Sequence, residues 1–245
     1  MLTIVFALFA AAAVTGGLKL AFPHSSWSLI FPFVVAFIGA TALSLRRVGK
    51  KLEPLVKQAE KHLLGGRREL ALKSLREGLP MQKWHPMIAG QLRAQIGALH
   101  YDTGDLDEAE AELSRASRWP WTSRALLGCV YFKRRNPEKM KKAFETAVRT
   151  GAKEPLVWTL YAYCLIAQGK REEAVKVLER ALKKNAGDQR LEANLELAKE
   201  GKKLKTAPYG DKWSRFGLDG DGPVLPKAAR GFAVRPGFRQ KARRR

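Results

Sequence analysis

An all-α chain in three parts is expected from this sequence: an apolar N-terminal helix pair, a stack of helix hairpins, and a basic tail. Three observations lead there. Two uncharged apolar stretches of 17 and 19 residues fall within the first 45 positions. Apolar and small residues then recur at helical spacing, with breaks at Gly66, Gly104, Arg135 and Gly169 that lie 38, 31 and 34 residues apart. Beyond about residue 205 the periodicity stops, and Gly, Pro and Arg accumulate.

The first stretch, Leu2 to Leu18, is near the minimum length for a membrane helix, and the second runs from Trp27 to Leu45. Residues 1–48 are read as a tight transmembrane hairpin, with small residues at Ala10 to Ala13, Gly16, Gly17, Gly39, Ala40 and Ala42 for close helix contact. A cleaved signal peptide is the competing reading of the first stretch, although it lacks a basic leading region. Arg46, Arg47, Lys50 and Lys51 follow the second stretch directly and are read as lipid-proximal. By the positive-inside rule they place the remainder in the cytoplasm. The expected location is a bacterial inner membrane, crossed twice.

The formal net charge is +22, and its distribution says what it means. Residues 46–83 carry +7 and residues 201–245 carry +10, while the long middle, 84–200, carries only +4. The charge therefore belongs to the flanks.

The middle, 49–187, is clearest at Pro155 to Asn185. Helical spacing runs from Trp158 to Ile166, breaks at Gln168 and Gly169, and resumes with Ala174, Leu178 and Ala181. Ala162 and Ala174 let two antiparallel backbones approach. Gly97, Gly104, Ala109, Leu113 and Ala116 repeat the pattern, as do Gly128, Tyr131, Phe144 and Ala147, with Met140 where Ala is usual. Leu55, Ala59, Gly66, Ala71 and Leu75 give a weaker first copy. The pattern and its period of about 34 residues resemble the tetratricopeptide repeat (TPR) family, with Leu165 and Leu178 standing where that family usually has aromatics. The resemblance implies an α-solenoid of about four repeats, each unable to bury its apolar face alone. Leu191, Leu195 and Ala198 then mark an amphipathic capping helix within 188–205.

Residues 206–245 are expected to be a disordered basic tail. Tyr209, Trp213, Phe216, Phe232 and Phe238 are interleaved there with basic residues that end in Arg243, Arg244 and Arg245. Such a mixture can bind single-stranded nucleic acid, a ribosome or anionic lipid, or dock into the protein's own repeats.

Nothing in the sequence carries catalysis. The four histidines, His24, His62, His85 and His100, form no metal-ligand pair, and no phosphate loop or nucleophile elbow is present. Cys129 and Cys164 lie inside repeat helices and are read as buried reduced thiols. No enzyme activity, cofactor or metal is expected.

In the TPR family the first helix of each repeat lines a concave groove. The resemblance assigns to that groove Gln91, Ala94, Ala98 and Tyr101, then Ala125, Cys129, Phe132 and Lys133, then Thr159, Tyr163 and Ile166. Some of these side chains are equally expected to pack between repeats. The set is mostly small and aromatic, with Lys133 alone able to join a carboxylate clamp. It implies a protein partner presenting an apolar or aromatic peptide or helix, bound by a scaffold at the membrane.

Overall fold

The computed structural model describes residues 30–80 and 86–218, with seven positions between 5 and 13. Among the described residues every regular element is helical. Two compact units divide the chain, one of residues 1–92 with 233–245 and one of residues 93–232. The first contains α1 (Ile30–Leu64), α2 (Arg68–Glu77) and the start of α3 (Pro86–Thr103). The second holds the rest of α3, then α4 (Leu106–Arg115), α5 (Trp121–Lys133), α6 (Pro137–Thr150), α7 (Pro155–Ala167), α8 (Arg171–Lys184) and α9 (Gln189–Lys199). A 3-10 turn, Ala207–Tyr209, and one turn of helix, α10 (Asp211–Ser214), follow.

One turn chemistry makes each hairpin. Gly66, Gly104, Arg135 and Gly169 take left-handed φ values of 70°, 82°, 54° and 76°. The next N–H then reaches back five residues: Arg67 donates to His62, Asp105 to His100, Asn136 to Tyr131 and Lys170 to Leu165, all at 2.8–2.9 Å. These bonds satisfy carbonyls that a helix end otherwise leaves open. The following helix begins at once, with the side chains of Asp105 and Asn136 accepting from N–H groups of its first turn.

Small residues set the spacing inside each pair. A Cβ on Gly97 would lie 2.7 Å from Leu113 Cγ, and one on Gly128 would lie 2.6 Å from the Phe144 ring. The partner side chain thus fills the space the glycine leaves. Phe144 also stacks on Tyr161 at 5.2 Å between ring centroids, which joins α6 to α7. Across the outer surface Arg180 of α8 makes a two-pronged ion pair with Glu145 of α6, at 2.8 and 2.9 Å. Arg190 and Leu191 donate their N–H groups to Asp188 at the start of α9, which buries Leu191, Leu195 and Ala198 against α8.

The expected two-pass placement in an inner membrane is overturned. Among the described residues no helix is long and apolar enough to cross a membrane. α1 continues unbroken through Arg46, Arg47, Lys50 and Lys51, all exposed, and through Pro54. Its C-terminal part packs on α2, burying Ala59, Ala71 and Leu75. Most of the first apolar stretch and the loop after it lie outside the described residues.

The tail also departs from expectation. Residues 207–218 are ordered, and Tyr209, Trp213, Phe216 and Leu218 join the buried cluster of the second unit. Residues 219–245, with the terminal arginines, lie outside the described residues.

Candidate partner-binding groove

The first helices of the hairpins, α3, α5 and α7, present a face built mainly of small side chains. Ala98, Ala125 and Cys129 supply its floor, each no more than 3 % exposed, and Tyr101, Thr159 and Tyr163 stand around it. A furrow lined this way accepts bulky rings from elsewhere. Residues 207–218 supply them.

Asn194 aims that segment. It is fully buried on α9, its side-chain oxygen accepts from the Lys205 N–H at 2.7 Å, and its amide donates to the Lys205 carbonyl at 3.2 Å. The reciprocal pair turns the chain back onto the first-helix face. Gly210 then takes φ 51° and ψ −134°, a conformation open essentially to glycine, and α10 begins.

Rings and hydroxyls hold the segment in place. Trp213 meets Tyr163 edge-on at 5.2 Å, and Phe216 stacks on Trp121 at 6.2 Å. Tyr209 lies under the Arg190 guanidinium at 5.3 Å and shares a 2.8 Å hydrogen bond with the Thr159 hydroxyl. Two further bonds read main chain: Tyr101 donates to the Phe216 carbonyl at 2.6 Å, and Tyr163 to the Leu218 carbonyl at 3.2 Å. The face therefore holds residues 207–218 by their backbone carbonyls and by side-chain shape together. The fit has one gap, since the buried Trp213 indole N–H has no acceptor.

Electrostatics keep the floor neutral. Burial pushes the Tyr101 phenol far above its ordinary value, and the nearby Cys129 and Cys164 add to the shift. Burial likewise raises Cys164, followed by its contact with Cys129, so the Cys164 thiol stays protonated and unreactive. Tyr209 is raised by burial too, opposed by the Thr159 hydroxyl and the Arg190 charge. Lys133 is the one cation of the expected set, and its ammonium sits 4.2 Å over the Tyr101 ring. No group of three or more metal-ligating side chains occurs among the described residues.

Comparison with known proteins bears on the repeat directly. The family model described as "Tetratricopeptide repeat" matches residues 132–195. That segment is a tetratricopeptide repeat. A solved structure, "Crystal structure of MamA protein", covers 69% of this chain and 91% of its own at 17% identity, with a TM-score of 0.49. No curated protein matches the chain. TPR hairpins are protein-interaction scaffolds, each stacked on its neighbours to present a binding surface.

Placed on the helix hairpins, the expected groove residues separate into three groups. Ala98, Tyr101, Ala125, Cys129, Thr159 and Tyr163 come together around the docked segment. Phe132 and Ile166 are half-buried and pack against the same cluster, while Lys133 is exposed at its edge. Gln91 and Ala94 are half-buried at the other end of α3, and Gln91 falls in the first unit. The expected set omitted Trp121, although its position four residues before Ala125 puts both on one helix face. It also omitted Asn194, which nothing in the local sequence distinguishes from an exposed cap-helix residue.

Proposed function

We propose that this protein is a non-catalytic scaffold that binds a protein partner through the concave surface formed by α3, α5 and α7. One observation carries the reading: that surface already holds a peptide segment, gripped by aromatic rings and by hydroxyl bonds to main-chain carbonyls. A surface that reads carbonyls and ring shape fits an aromatic peptide or short helix. Lys133, the one cation of the expected set, sits over the Tyr101 ring, which argues against a clamp for a charged C-terminus.

Site-specific photo-crosslinking in cells tests the assignment. A photo-reactive residue in place of Phe132, on the first-helix face, is expected to capture one discrete protein. The same residue in place of Glu179, exposed on α8, is expected to capture none. Equal capture from both positions, or capture from α8 alone, would remove the first-helix face as the binding surface.

A further inference from the structure

We propose that residues 207–218 are a built-in competitor for this surface: the chain carries its own ligand, which a partner presenting aromatic side chains at positions i, i+4 and i+7 must displace. The inference rests on the groove reading above and adds what the groove selects and what guards it. The docked segment shows the pattern directly, since Tyr209, Trp213 and Phe216 are spaced by four and three residues and are at most 6 % exposed.

Three features mark the segment as an occupant that can leave. Its helical structure is one 3-10 turn, Ala207–Tyr209, and one α-helical turn, Asp211–Ser214, too short to hold their shape without the surface beneath them. It is joined to α9 by a non-helical stretch, residues 200–206, so its departure need not unwind the cap helix. The Trp213 indole N–H is buried without an acceptor, a cost of the docked state that water removes once the segment leaves.

The surface beneath is suited to exchange. Trp121 stacks on one of the segment's rings and Tyr163 meets another edge-on, contacts that any correctly spaced aromatic side chain can make. Two of its hydroxyl bonds go to carbonyl groups that any peptide carries. Specificity then lies in ring spacing, and the Arg190 guanidinium favours an aromatic at the first position.

The test uses the full chain and, as probe, a labelled synthetic peptide of residues 207–218, with binding read by fluorescence anisotropy. The unmodified chain should bind the probe weakly. Trp213→Ala with Phe216→Ala should bind it at least tenfold more tightly, and Asn194→Ala, which loosens the anchor outside the groove, severalfold more tightly. Adding Tyr163→Ala to the double variant should reverse the gain, and a probe with alanine at its Trp and Phe positions should not bind. Equal and measurable binding by the unmodified chain and the double variant overturns the competitor while leaving the groove reading intact. No binding by a double variant that retains its helix content and cooperative melting overturns both. If the double variant loses its helical fold, the segment is core rather than occupant, and the competitor idea is likewise overturned.

Discussion

The helix hairpins and the segment docked on them share one buried cluster, yet they are held by different means. In a hairpin, each large side chain fills a place made by a missing one: Leu113 lies over Gly97, and Phe144 lies over Gly128. The turn between the helices fixes that register through a left-handed residue and a bond back to the fifth preceding carbonyl. In the segment no such register exists. Its rings meet Trp121 and Tyr163, its hydrogen bonds span 50 to 115 residues of sequence, and one indole N–H is left unpaired. Two regions of equal burial therefore differ in whether they can separate.

The sharpest way to break this comparison is to truncate a buried aromatic in each. Phe144→Ala should cost about 3–5 kcal/mol of global stability, the range for opening a cavity in a core that cannot collapse. Trp213→Ala removes a larger side chain but should cost less than about 2 kcal/mol, because the segment can lift away instead of enclosing a void. Urea unfolding of the two variants measures both values. Equal losses would erase the distinction.

Alkaline titration should give a smaller effect of the same kind. The Tyr101 and Tyr209 phenols are raised by burial, so the released segment and its bared surface lose protons first as pH rises. Docking is thus at full strength below about pH 10, the ordinary tyrosine value, and weakens above it. A phenolate at Tyr101 also can no longer donate to the Phe216 carbonyl. Trp fluorescence followed from pH 8 to 11.5 should shift before helix content falls. A single coincident transition would contradict separable behaviour.

The hairpins were legible in the sequence because their determinants are local. Gly66, Gly104 and Gly169 announce left-handed turns, and even Arg135 is placed by the period alone, since the same backbone bond is made around it. The pairing of small with large residues, Gly97 with Leu113 or Gly128 with Phe144, follows from the hairpin once the turn is known. The docked segment was only partly legible. Gly210, Gly217 and the nearby prolines look like loop composition, and nothing local says that Tyr101 will donate to a carbonyl 115 residues away. Buried positions such as Ala125 and Cys129 were found by repeat register, whereas Trp121 was missed because its role appears only when Phe216 is in place. The N-terminus misled for a further physical reason. Arg and Lys are good helix formers, so the charges at 46–51 end the apolar run without ending the helix.

The smallest effect should come from the turn itself. Arg135 holds a left-handed φ that costs an L-residue about 1 kcal/mol, and Arg135→Gly should recover some of that, less the greater freedom glycine gives the unfolded chain. A modest rise in melting temperature would place the gain in the hairpins, with peptide binding unchanged.

Amide hydrogen exchange on the full chain tests the central claim most directly. If the segment is a separable occupant, amides of residues 207–218 that are protected by docking will exchange through a local opening, at least tenfold faster than those of α7. Added peptide of the same sequence should speed them further by holding the segment out. Exchange of the segment and α7 at one common rate, unmoved by the peptide, would mean that the two open only together and that residues 207–218 belong to the core.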